Sequence, residues 1–210
     1  MKCRAEEKLA CERVNHAYKS MGKTVLSFLD ASTACVVHKR YGYGKKRLSY
    51  VFNETMDRLD ELMEYYGTEG DDAKERTDIS LYVMCRRLAE CGFNFEQETK
   101  NMPAADPFLK SWHPANMHGK HKHRVDLMNS MELVVQTYHA MILFWHRENR
   151  GFGAQRLSDL YRLLRADYND FVSEYLRCSS AGDANIQKML SERQKKIEEI
   201  GLELVDQKED

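Results

Sequence analysis

Proline is scarce in this chain, and its few occurrences are crowded together. Only three are present in 210 residues, Pro103, Pro107 and Pro114. The long proline-free stretches, rich in Leu, Met, Glu, Lys and Arg, favour helices over other elements. No apolar run approaches the ~18 residues that a membrane span requires, so no membrane partner is expected. An excess of one charge is missing as well. With 32 basic and 33 acidic residues the formal net charge is −1, which excludes a globally basic nucleic-acid binder but leaves room for local patches.

The six cysteines (Cys3, Cys11, Cys35, Cys85, Cys91 and Cys178) never form a CxxC pair. The N-terminus, MKCRAEEKLACERV, is charged and lacks the apolar core of a secretory signal. A soluble, cytoplasmic protein with reduced cysteines is expected from this. Catalytic signatures are lacking too: there is no GxSxG, HExxH, GxxxxGK[ST] or paired-carboxylate motif. Ser32, Thr33 and the cysteines have no base partner at a recognisable spacing. A non-enzymatic role is the preferred reading.

What is present suits a packed helical protein. Hydrophobic residues make up 42% and charged residues 31%, enough to build a core and far from the composition of a disordered chain. A first helix is read over about Arg4 to Ser20, ending near Gly22. Others follow over about Lys23 to Arg40, Gly44 to Tyr66 and Asp72 to Glu90, with apolar positions such as Leu48, Phe52, Leu59 and Leu62 at helical spacing. FNF at 93–95 alternates apolar and polar, as a brief extended piece would. The stretch from about Thr99 to Arg124 holds every proline and four histidines, and reads as a linker loop. Three further helices are read over about Val125 to Glu148, Ala154 to Arg177 and Ala184 to Ile200.

The two halves can be laid over one another. Gly42-Tyr-Gly44-Lys-Lys-Arg47-Leu48-Ser49 meets Gly151-Phe-Gly153-Ala-Gln-Arg156-Leu157-Ser158, and from the first glycine onward the offset stays at 109 positions. It still holds where Cys91-Gly92-Phe93 meets Ile200-Gly201-Leu202. One shared GxG is a weak signal, but an ungapped register this long is a strong one. The fold expected is all-α: a tandem duplication of a three-helix unit forming a pseudo-twofold bundle, preceded by an N-terminal helix. The divisions are an N-terminal helix (1–22), a first repeat unit (23–97), a Pro/His-rich linker loop (98–124), a second unit (125–206) and a charged tail (207–210).

Gly-aromatic-Gly has two readings. In one it is a helix corner, where the first glycine takes positive φ and the aromatic ring plugs the bend. In the other the exposed amides of a helix start, with Arg47 or Arg156 beside them, receive an anion. The first copy is the more basic, with Lys39, Arg40, Lys45, Lys46 and Arg47 around Tyr41 and Tyr43. A binding surface for a macromolecule or anion is therefore drawn through Lys39, Arg40, Tyr43, Lys45, Lys46 and Arg47. It extends to Phe152 and Arg156 and to Lys120, Lys122 and Arg124 of the loop.

The histidines His113, His118, His121 and His123 suggest a second chemistry. No cofactor is expected, and zinc or another transition metal at His118, His121, His123 and His139 is the alternative. The spacing fits no standard structural zinc site. Glu132, His139 and His146 recur by sevens on one helix, near one face, where they could complete such a site if the loop folded over them.

The segments VVHKRYGYGKKRL and FWHRENRGFGAQRL resemble a motif of small uncharacterised helical proteins of phages and prophages in Firmicutes-type bacteria. In those, an apolar helix ends in a histidine and a short basic stretch, followed by Gly-Phe-Gly-Lys-x-Arg-Leu, a long helix and a final helix closing on Gly. The resemblance runs from His38 to Leu48 with Cys91 to Phe95, and from His146 to Leu157 with Ile200 to Leu204. This chain departs from it by carrying two units and by having Ala154-Gln155 in place of the lysine. The resemblance implies a phage or mobile-element accessory protein that binds a host or phage protein complex, for instance as an inhibitor of a defence or regulatory complex. A nucleic-acid-binding factor and a metal-dependent enzyme remain as alternatives, and a homo-oligomer is left open.

Overall fold

The computed structural model describes residues 25–65, 73–101, 120–177 and 184–202, with side chains over 25–55, 79–100, 134–171 and 187–202. The helix read over Arg4 to Ser20, the proline stretch with His113 and His118, and the charged tail lie outside the described residues. Every described element is a helix. In chain order these are α1 (25–41), α2 (Lys45–Tyr65), α3 (Ala73–Ala89), α4 (Phe95–Asn101), α5 (Lys120–Arg150), α6 (Ala154–Arg177) and α7 (Ala184–Ile200). No described helix is long and apolar enough to cross a membrane.

Two boundaries differ from expectation. The extended piece read at FNF is absent, because α4 starts at Phe95. Asn94 caps it: its Oδ1 accepts the Gln97 N–H at 2.9 Å, while Glu96 and Glu98 place negative charge at the positive end of the helix dipole. Phe95 is thereby turned into the core at 3% exposure, rather than alternating along a strand. The second difference is that α5 begins at Lys120, inside the stretch read as a loop. A run of lysines, histidines and Arg124 has no helix breaker after Gly119, so the backbone is helical through Lys120, His121, Lys122, His123 and Arg124. Their side chains lie outside the described residues.

Helix α5 is the axle of the bundle. It packs along α3, and also against α2 and α6. Its second half is apolar nearly all round, with Val135, Ala140, Ile142, Leu143, Trp145 and His146 all buried, as expected of a helix surrounded by others. The core continues through Phe28 and Leu29 of α1, Leu48 and Val51 of α2, Leu88 of α3, and Leu157, Leu160 and Tyr161 of α6. Filling the interior takes large side chains; burying each of them contributes roughly 1.5–3 kcal/mol. Helix α4 is tied down by polar contacts. Ser158 Oγ donates to Glu98 Oε1 at 2.9 Å, and the Thr99 and Tyr161 hydroxyls lie 2.7 Å apart.

The helix stops recur along the chain. All four glycines with positive φ among the described residues are separated by the repeat offset: Gly42 (67°) with Gly151 (61°), and Gly92 (85°) with Gly201 (75°). Their hydrogen bonds match. Gly42 N–H donates to the His38 carbonyl at 2.8 Å and Gly151 N–H to the Arg147 carbonyl at 3.1 Å. The Phe93 N–H reaches Leu88 and the Leu202 N–H reaches Ile197, in each case the six-residue closure of a Schellman cap. Burial follows the same spacing, as Tyr43 and Phe152, Leu48 and Leu157, Val51 and Leu160, and Leu88 and Ile197 are all core residues.

Candidate functional site

The two Gly-aromatic-Gly corners meet face to face. Each is made by a glycine that ends one helix in the left-handed region and a second glycine whose carbonyl opens the next. The aromatic residue between them turns inward: Tyr43 is 5% exposed and Phe152 6%. Of the residues through which the sequence draws a binding surface, these two therefore lie beneath that surface and do not form it. Around them is an aromatic layer. The Tyr41 ring lies 5.1 Å from that of Phe152, and Tyr43 stacks on His146 at 5.8 Å. Phe152 and Trp145 lie 5.1 Å and 5.0 Å from the same imidazole.

The conserved spacing of the arginine in both copies has a physical cause. Arg47 Cζ sits 5.7 Å from the Tyr43 ring, and Arg156 Cζ sits 5.7 Å from the Phe152 ring. One helical turn after the plug, each guanidinium covers its outer face. Such a contact contributes about 0.5–1 kcal/mol where it is exposed. Arg150, which the sequence reading passed over, bridges the corners by lying 5.5 Å from Tyr43 and 5.6 Å from Trp145. Only a contact across the fold identifies it; nothing in its local sequence could.

Some contacts between the halves are reciprocal. Tyr41 meets Phe152, and Arg150, at the position offset from Tyr41, meets Tyr43. A Cβ at Gly92 would lie 3.8 Å from Ala154 Cβ, and one at Gly201 would lie 3.7 Å from Lys45 Cδ. The histidines break the pattern. His38 is exposed and binds the Tyr43 carbonyl through Nδ1 at 2.7 Å, whereas His146 is fully buried at the position offset from Val37. His146 Nδ1 donates to the Ile142 carbonyl at 2.7 Å, and burial pulls its pKa down to about 4. It serves as a neutral ring in the aromatic layer.

Above this layer the surface is cationic. Lys39, Arg40, Lys45, Lys46, Arg47, Arg150 and Arg156 are all exposed. Among the described residues, none of them has a carboxylate within ion-pairing distance. The corner thus gathers Lys39 to Arg47 with Arg156. Lys120, Lys122 and Arg124, at the far end of the 31-residue helix α5, are not gathered with it.

His139, named as a fourth metal ligand, is 1% exposed. Tyr161 lies 5.8 Å and Tyr168 6.3 Å away, both edge-on. Burial, and then the Arg165 charge, push its pKa down to about 3. Among the described residues no group of three His, Cys, Asp or Glu could hold a metal ion. The side chains of His118, His121 and His123 lie outside them.

A groove of about 1030 Å³ starts beside the corner and runs between α1, α6 and α7. Cys35, Val36, Leu163 and Ala166 are its apolar lining, and Lys39, Arg40 and Lys196 are among its cations. Arg193 is bound to Asp167 at 2.7 Å, and Arg162 to Glu98 at 3.4 Å. Cys35 is half-buried, and burial raises its thiol pKa, which leaves it protonated and a poor nucleophile. No family model, curated protein or solved structure matches this chain.

Proposed function

We propose that this chain is a non-enzymatic accessory protein of a phage or mobile element that binds an acidic surface on a host protein complex in the cytoplasm and inhibits it. The observation that carries the binding reading is the patch from Lys39 to Arg47 with Arg150 and Arg156. Its cations have no carboxylate partners among the described residues, and three of them, Arg47, Arg150 and Arg156, lie over rings of the aromatic layer. Cations held in place above a fixed support lose little entropy on binding, which suits them to recognition more than to stability. The phage assignment and the inhibitory role rest on the resemblance of the two corner segments.

We also infer that the chain arose by tandem duplication and that its halves pack about a pseudo-twofold axis. The support is the single offset shared by all four positive-φ glycines, together with the reciprocal contacts at the corners.

Nucleic acid is the second reading, since phosphates also seek a cationic patch. Against it, Tyr43 is buried and Tyr41 is packed on Phe152, so neither offers a free face for base stacking. Affinity capture from a bacterial lysate with the wild type and a Lys45→Glu/Lys46→Glu variant tests the first reading. Retention of one protein complex by the wild type and its loss by the variant are expected. Tight binding to duplex DNA at ~50 mM salt that collapses by ~200 mM would replace the first reading with the second.

A further inference from the structure

The corners also differ in the arginines that meet the buried ring. Arg47 Cζ lies 5.7 Å and Arg150 Cζ 5.5 Å from the centroid of the same Tyr43 ring. His146, stacked on Tyr43 at 5.8 Å, takes up one face of that ring and confines both guanidiniums to the rest of it. At the other corner Arg156 lies over Phe152. The position offset from Arg150 is Tyr41, and its uncharged ring packs on Phe152 at 5.1 Å. One corner therefore holds a pair of guanidiniums where its counterpart holds one.

The pair is not neutralised within the fold. Both side chains are exposed, and among the described residues neither has a carboxylate within ion-pairing distance. Glu148 and Glu54, the nearest described acidic residues along α5 and α2, pair with neither of them. Asp159, whose charge reaches Tyr41 at the other corner, accepts from Gln155 at 3.2 Å. Arg47 stands in the first turn of α2, where the helix dipole disfavours a cation unless an anion lies beside it.

We propose that Arg47 and Arg150 form a binding site for a phosphate monoester dianion, supplied by a phosphorylated side chain of the partner protein. A carboxylate carries a single charge and is satisfied by the fork of one arginine. A phosphate monoester brings about −1.5 to −2 charges near pH 7 and three acceptor oxygens, enough to engage both guanidiniums together. Arginine held against a ring keeps its N–H donors for such a ligand.

The inference rests on the protein-binding reading of the corner and deepens it. NMR titration of the full chain near pH 7.5, following the arginine Nε–H signals at constant ionic strength, tests it with four probes. Phenyl phosphate stands for a phosphorylated side chain, inorganic phosphate for the free ion, dimethyl phosphate for nucleic-acid backbone and acetate for a carboxylate. Phenyl phosphate should give saturable shifts at Arg47 and Arg150, about tenfold or more tighter than acetate or dimethyl phosphate, with inorganic phosphate no tighter. Arg150→Tyr, which copies Tyr41, and Arg47→Gln should each weaken phenyl phosphate about tenfold or more. Arg156→Gln should leave it unchanged. All three variants change exposed positions, and circular dichroism with a thermal melt checks that they fold.

No saturable shift, acetate or dimethyl phosphate binding as tightly, inorganic phosphate binding more tightly, or full affinity in Arg150→Tyr would each overturn the phosphate proposal. Failure of the corner reading looks different. In that case Lys45→Glu/Lys46→Glu leaves capture of the protein complex unchanged, whatever the arginine variants do.

Discussion

The two corners share a backbone and differ in chemistry. At Gly42 and at Gly151 the chain turns through the same left-handed glycine, buries the same kind of ring, and covers it with an arginine one turn later. The next two residues differ, with Lys45-Lys46 in one and Ala154-Gln155 in the other. The residues that set the path of the chain are alike in the two corners, because the turn needs them. The outward-pointing residues differ, and the difference concentrates charge at one corner.

Removing the plugs puts the equivalence of the corners under the greatest strain. Tyr43→Ala and Phe152→Ala should each cost about 3–5 kcal/mol in urea denaturation, because a buried ring leaves a cavity. A cost near zero for one of them would show that only the other corner is structural.

Acid should weaken the fold through two buried histidines of α5. His146 and His139 stay neutral in the fold, with pKa values lowered to about 4 and about 3 from the usual 6.5. The unfolded chain takes up those protons below pH 6.5 and the folded chain does not, so stability falls as the pH drops from 6.5 toward 4. Each histidine can contribute a loss on the order of 3 kcal/mol. His146→Val, which copies Val37, should flatten part of that decline in urea midpoints measured between pH 7 and pH 4. An unchanged slope would mean that His146 does not report on the packed corner. Asp30 works in the opposite direction, since burial raises its pKa although Tyr138 donates to it at 2.6 Å.

The glycines of each motif should separate by role. Gly42→Ala and Gly151→Ala should each cost about 1–2 kcal/mol, the penalty of a Cβ in the left-handed region, since nothing lies within 4 Å for the added carbon to strike. Gly44→Ser and Gly153→Ser, at helix N-caps, should be neutral or gain a few tenths of a kcal/mol. Thermal melts of the four variants check this pattern.

The smallest effect on stability is expected at the two lysines to which the binding proposal gives most weight. Lys45→Glu/Lys46→Glu should stay within about 0.5 kcal/mol of wild type while abolishing capture of the partner. The reverse graft, Ala154→Lys/Gln155→Lys, should leave the melt equally unchanged and create no second capture site.

Much of this was legible in the sequence because helices and their stops are local. Apolar spacing marks α1, α2 and α6, and Gly42, Gly92, Gly151 and Gly201 mark four helix ends, each through a conformation that glycine adopts without steric cost. The start of α5 was missed because a basic, histidine-rich run resembles a loop by composition while lacking a breaker. FNF was misread because the Asn94 cap competes with alternation, and the cap prevailed.

The sequence by itself determined the all-helical character, the repeat register and the position of the basic cluster, since each depends on residues close together in the chain. Only the tertiary structure decided that Tyr43 and Phe152 face inward, that His146 is buried at the position offset from Val37, and that Arg150 spans the corners. Those outcomes depend on residues about a hundred positions apart meeting across the bundle, and no local propensity encodes that.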